Sequence, residues 1–162
     1  FIVLLMFFLQ GIISGLIATF LFDLYQIALS YAYNINKSKW NLVGRYFIGI
    51  LEGKYVIEDI ESEEIIKNEL IIGYFTHYLI GSIFGILYLS LNRILHTEPS
   101  ILLALVIGFL TVIGGWCIMM PFAYNMGYFA SKKSEQKKIM VQNLIAHFIF
   151  GIGLYLGYLI IN

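Results

Sequence analysis

The stretch LIIGYFTHYLIGSIFGILYLSL, residues 70–91, carries no Lys, Arg, Asp or Glu. A helix needs roughly 20 apolar residues to cross the hydrocarbon layer of a bilayer, and this run supplies them. It also carries His77. A titratable ring inside a span costs free energy unless it meets a partner or a cavity. One segment therefore raises both questions about the chain: whether it lives in lipid, and what its buried polar groups do there.

The rest of the chain answers the first question. Of 162 residues, 60% are hydrophobic and 12% charged, and the mean hydropathy is +0.84. Soluble domains run at about 45–50% apolar and about 25% charged. Three more stretches meet the length requirement: FFLQGIISGLIATFLFDLYQIALSY (7–31), ILLALVIGFLTVIGGWCIMMPF (101–122) and IMVQNLIAHFIFGIGLYLGYLII (139–161). Pro99 suits the start of the third span and Pro121 its end. The opening FIVLLMFF has no initiator Met, and no A-x-A-like cleavage site follows it, so it reads as a retained membrane helix rather than a signal peptide. The expectation is an all-α integral membrane protein: a single transmembrane domain over residues 1–162, with four transmembrane helices in a compact bundle.

All ten Lys and Arg lie outside the spans. Lys37, Lys39, Arg45, Lys54 and Lys67 fall in the connection 32–69, Lys132, Lys133, Lys137 and Lys138 in 123–138, and only Arg93 between spans two and three. The positive-inside rule puts the two long connections in the cytoplasm and both termini outward. In the first connection, NLVGRYFIGIL (41–51) suits a short interfacial helix around Arg45. The acidic EDIESEEIIKNE (58–69) reads as solvated, with a helical pattern running into span two. The basic 132–138 run reads as a topology anchor at the lipid headgroups. A formal net charge of zero gives no electrostatic case for nucleic acid. A single cysteine, Cys117, excludes an intrachain disulfide and reads as packing. Trp40 and Trp116 read as packing or interfacial aromatics.

Small and polar residues recur four apart: Gly11, Gly15, Thr19 and Asp23 in span one; Gly73, His77, Gly81 and Gly85 in span two; Asn143, His147 and Gly151 in span four. Span three has Gly108, Thr111 and Gly115. Four-residue steps stay near one helix face, and small residues let helix backbones approach closely in lipid. Gly11, Gly15, Gly81, Gly85 and Gly151 are the packing candidates. Asp23, His77 and His147 all fall roughly 10–12 Å below the cytoplasmic boundary, counted at 1.5 Å per residue. The expectation is one intramembrane cluster of Asp23, His77 and His147, with Arg45, Glu69 and Asn143 as partners on its cytoplasmic side. HYLIG (77–81) and HFIFG (147–151) share the form His-aromatic-aliphatic-x-Gly, which suggests two related helix hairpins.

GLIATFLFDLY (15–25), NLVGRYFIGIL (41–51), ELIIGYFTHYLIG (69–81) and AHFIFGIGLYLG (146–157) carry a family resemblance. The chain resembles the small bacterial membrane proteins of domain-of-unknown-function family 2938 from about Gly15 to Tyr158. By position, the family's pattern falls on Asp23, Arg45, Glu69, His77 and His147. Tyr25, Tyr46 and Tyr74 stand where the family tends to have Trp, and Met120-Pro121 where it has Gln-Pro. The resemblance implies the topology, the polar cluster and a bacterial cytoplasmic (inner) membrane, and it names no activity or substrate.

Three readings of the cluster follow. It sets helix register, since buried polar pairs can specify one arrangement. It cycles protons in a small proton- or ion-coupled transporter component, for which four spans suggest a homodimer. Or Asp23, His77 and His147 ligate a metal, or the two His a haem, in a membrane enzyme using Glu69 or water as base. No HExxH or CxxC accompanies the last reading, and no cofactor is identified. The lipid bilayer is the expected partner.

Overall fold

The computed structural model describes residues 2–35 and 37–161. In chain order the elements are α1 (Ile2–Tyr33), α2 (Trp40–Leu51), α3 (Glu69–Ile94), α4 (Ile101–Gly114), a π-helical continuation (Gly115–Ala123), a short 3-10 turn (Tyr128–Ala130) and α5 (Gln136–Ile161). No strand occurs among the described residues. Four helical stretches are long and apolar enough to cross a membrane: Ile2–Tyr33, Glu69–Ile94, Ile101–Ala123 and Gln136–Ile161. The protein is a multi-pass helical membrane protein. Its helices outrun the apolar segments at their ends, because polar residues such as Arg93 and Gln136–Lys138 are good helix formers once clear of lipid.

Two boundaries differ from the sequence expectation. The helical pattern of 58–69 does not run into span two: the segment forms turns, Asn68 takes a left-handed backbone (φ 65), and α3 starts at Glu69. Span three runs one residue past the expected 101–122, and Pro121 lies inside its last turns. The backbone widens into π turns that carry it past the proline to Ala123, and the Tyr124 N–H donates to the Met119 carbonyl at 3.0 Å. A proline has no N–H to donate and its ring clashes in an α-helical turn; a wider turn accommodates both. The end of α2 is set by Gly53 (φ 86), with Lys54 N–H bonded to Gly49 O at 2.8 Å and Gly53 N–H to Ile50 O at 3.0 Å. That double bond pattern needs a left-handed residue one past the cap, which is where glycine costs nothing.

The chain divides into two compact units. The first comprises Phe1–Lys37, Tyr78–Thr111 and Ile145–Asn162; the second comprises Ser38–His77 and Val112–Leu144. The first unit is built on backbone proximity. On α1, Gly11, Ser14, Gly15, Ala18, Thr19 and Phe22 are buried. Gly11 and Gly15 face α3: a Cβ on Gly15 would lie 2.6 Å from Ser82 Cα, and one on Gly11 2.7 Å from Ile86 Cα. Gly153 and Gly157 of α5 face the other side of the same stripe, at 2.5 Å from Ala18 Cα and 2.6 Å from Ser14 Cα. Ser14 Oγ donates to the Leu154 carbonyl at that crossing. Gly151 faces α4, where a Cβ would come within 2.8 Å of Ala104 O. Such contacts need residues without side chains, because in lipid close van der Waals approach replaces the hydrophobic effect as the force between helices.

The second unit is built differently. Here α2 lies on the opening turns of α3, where Gly44 and Gly73 meet the backbone of the other helix: a Cβ on Gly73 would be 2.6 Å from the Trp40 carbonyl carbon, and one on Gly44 2.8 Å from that of Glu69. Around this crossing the unit uses charge and aromatic rings.

Candidate functional site

In the first unit, His147 Nδ1 stands 2.8 Å from Thr111 Oγ1. The Thr111 hydroxyl has one proton, and it donates that to the Gly108 carbonyl at 2.6 Å. With that proton committed, the hydroxyl is placed to accept from His147, an arrangement that puts a hydrogen on Nδ1 and, in the neutral ring, the lone pair on Nε2. Local packing fixes this pairing. Gly108 lacks a side chain where one would stand 2.5 Å from the His147 carbonyl oxygen, so α5 lies directly on α4 and Thr111, one turn along, meets the ring. The Phe22 ring meets the imidazole edge-on at 5.3 Å between centroids. Asp23 follows Phe22 on α1 and is half-buried, as is His147.

In the second unit, His77 lies against Trp40: the rings stack at 3.8 Å between centroids and 22° between planes. Tyr74 also meets Trp40, at 6.0 Å. Glu69, Gly73 and His77 form one i, i+4, i+8 face of α3, and α2 covers all three. Trp40 covers His77, Gly44 opposes Glu69 and Gly73, and Arg45 takes Glu69.

Arg45 is 5% exposed and Glu69 8%. Arg45 Nε donates to Glu69 Oε2 at 2.8 Å and Nη2 to Oε1 at 2.9 Å, the two-pronged geometry that suits guanidinium to carboxylate. Nη1 donates to the carbonyls of Ile60 and Glu63 at 2.8 and 3.0 Å. Glu69 further accepts from Asn41 Nδ2 at 3.1 Å and the Ile66 N–H at 3.2 Å. The hydrogen bond to Glu69 raises the Arg45 pKa above its ordinary value; burial opposes this, and the charges of Glu69, Glu63 and Glu61 add to it. The Arg45 guanidinium fastens the acidic connection, in which Ile57 and Ile60 are buried, onto α2 and α3.

The remaining expected residues divide between the units. The structure brings His147 to Thr111 and Phe22 in one, and His77 to Trp40 with Arg45 to Glu69 in the other. Asn143 belongs to the second, and its Oδ1, with Trp116 Nε1, is a buried side-chain atom without a hydrogen-bond partner among the described residues. No group of three or more His, Cys, Asp or Glu side chains is placed to hold a metal ion among the described residues. Thr111 stood in the sequence only as one small polar residue among several, and Trp40 carried no signal as a partner for His77. Gly153 and Gly157, also four apart in the sequence, are the α5 glycines that meet α1.

No curated protein and no solved structure matches the chain. A family model does. It is that of the proteins of unknown function designated DUF2938, and since it matches residues 12–161, nearly the whole length, the chain belongs to that family.

Proposed function

We propose that this protein is a proton-coupled component of a small membrane transporter, with His147 as its proton-binding group. The observation that carries the reading is the Gly108–Thr111–His147 hydrogen-bond chain inside the membrane-helix unit. It favours one tautomer of the neutral ring, in which Nε2 is the basic atom. An imidazole titrates in the physiological range, and an intramembrane ionisable residue is costly enough to need a reason. When Nε2 takes a proton, the bond from Nδ1–H to Thr111 persists, so the ring changes charge without losing its position. Asp23, next in the chain to Phe22, supplies the carboxylate for the resulting cation. The long connections face the cytoplasm in this reading, in a bacterial inner membrane, and four spans per chain favour a pair of copies.

The test is proton flux into vesicles reconstituted with the purified protein, driven by a potassium diffusion potential and read with an entrapped pH dye. Flux above that of empty vesicles, reduced to their level by His147→Gln and retained by His77→Gln, is the expected result. Flux indistinguishable from empty vesicles, or unaffected by His147→Gln, contradicts the proposal. Metal analysis of the same preparation distinguishes this from the ligand reading: stoichiometric metal lost in His147→Gln would favour the latter.

A further inference from the structure

The connection between Ala123 and α5 is short and joins two membrane-crossing helices, so its connectivity holds it at the bilayer surface. It is not a loose tether. Gly127 (φ 73), Asn125 (φ 50), Phe129 (φ 55) and Ala130 (φ 56) all take left-handed backbone conformations. The fold is held by Met126 N–H to Met120 O at 2.8 Å, Lys132 N–H to Met126 O at 2.9 Å and Gln136 Nε2 to Phe129 O at 2.9 Å. A bulky residue is costly at positive φ, and here the surroundings impose it.

This shaped connection displays two kinds of group side by side. Tyr128 is 55% exposed and Phe129 42%, and both rings also touch their own unit, Tyr128 against Phe122 and Phe129 against Trp116. Beyond them, Lys132, Lys133, Lys137 and Lys138 are exposed, against a single acidic residue in that run, Glu135. Glu135 is engaged with Lys138 at 3.1 Å, and Lys132 donates to Asn125 at 2.7 Å. Lys133, Lys137 and Lys138 border a shallow open hollow with Ser134, Glu135 and Gln136. The first turn of α5 holds no acidic residue, and the one carboxylate at the hollow, Glu135 directly before it, is the one paired with Lys138. Aromatic rings favour the boundary between headgroups and acyl chains, while clustered lysines favour anionic headgroups.

We propose that residues 128–138 form a docking surface for an anionic phospholipid, with Lys133 and Lys137 receiving the phosphodiester and the Tyr128–Phe129 pair set against the acyl region. Charge complementarity and position together select this occupant. An acidic soluble partner would use the lysines and leave the aromatic pair in water, whereas a lipid uses both. The segment therefore does more than set topology by charge: it discriminates between headgroups.

The experiment is native mass spectrometry of the full chain in detergent, titrated with dioleoylphosphatidylglycerol or dioleoylphosphatidylcholine. The variants are Lys133→Gln/Lys137→Gln and Lys133→Arg/Lys137→Arg. The anionic lipid binds preferentially, the Gln pair lowers its occupancy about tenfold, and the Arg pair retains it. The preference weakens as ionic strength rises. Inorganic phosphate in excess over lipid leaves the adducts in place, since it lacks the acyl contact. Equal occupancy by the two lipids, unchanged binding in the Gln pair, or displacement by inorganic phosphate each overturns the proposal. Circular dichroism of the Arg pair and of Tyr128→Ala/Phe129→Ala separates loss of binding from loss of fold. The aromatic variant keeps its helices and binds both lipids less.

Discussion

HYLIG at 77–81 and HFIFG at 147–151 look like two copies of one device, and the structure uses them differently. In the second copy the histidine and the glycine both work against α4: His147 bonds Thr111, and Gly151 admits the Ala104 backbone. In the first copy they serve different neighbours: His77 lies under Trp40 of α2, while Gly81 makes room for the Thr19 side chain of α1. One ring is fixed by a hydrogen bond through Nδ1, and the other lies face to face with an indole. The same His-aromatic-aliphatic-x-Gly form thus lies against α4 in one unit and belongs to a clasp with α2 in the other.

The largest effect that sharpens this contrast comes from the clasp. Glu69→Ala leaves the Arg45 guanidinium buried and unpaired, and such a break costs about 3–5 kcal/mol. Hydrogen exchange should rise across α2 and the 52–68 connection while the α1–α3 crossing at Gly15 stays protected. A uniform rise over both units would erase the distinction between them. Replacing both partners by methionine should recover much of the loss, since a buried pair is worth little beyond an apolar replacement. In the first unit, Gly15→Leu forces a side chain into the Ser82 backbone, and overpacking of this kind costs about 1–3 kcal/mol. Its exchange pattern should be the mirror image, with α1 and the second half of α3 loosened.

Smaller effects test individual contacts. Thr111→Val removes the acceptor for His147 Nδ1–H, and interhelical hydrogen bonds in membranes average about 0.6 kcal/mol. The thermal midpoint should fall slightly while the neutral ring loses its tautomer preference. The smallest effect is on the exposed surface of the second unit. Hydrogen bonding to Lys39, then its charge, lowers the Glu61 pKa. A carboxylate held below its unfolded pKa contributes stability above that unfolded value, and loses it as pH falls through the folded one. Because both partners are half-exposed, the contribution is less than about 1 kcal/mol. Glu61→Gln should remove that acid-side step and leave stability near neutral pH almost unchanged.

The membrane class and four spans were legible because roughly 20-residue apolar runs have few alternatives. The short helix at 41–51 was legible from its pattern around Arg45. The site was only partly so. Stripes with four-residue spacing mark a face without saying which helix covers it, and on α3 the covering helix changes along one stripe. Glu69, Gly73 and His77 meet α2, while Gly81 and Gly85 meet α1. Equal depth in the membrane fixes one coordinate of a side chain and leaves its azimuth free. Trp40 became the partner of His77 through the Gly44–Gly73 crossing, a long-range event that no local pattern encodes. The π turns through Pro121 were hidden for a related reason: a proline signals an end when the turn stays α-helical, and tertiary support let the turn widen instead.

The most direct test of the division between the two rings is histidine-selective nitrogen NMR of the protein in bilayers. At a pH where both rings are neutral, the account predicts that His147 carries its hydrogen on Nδ1, that Thr111→Val abolishes this preference, and that the His77 signals do not respond to that substitution. A His147 ring with its hydrogen on Nε2, unchanged by Thr111→Val, would contradict it.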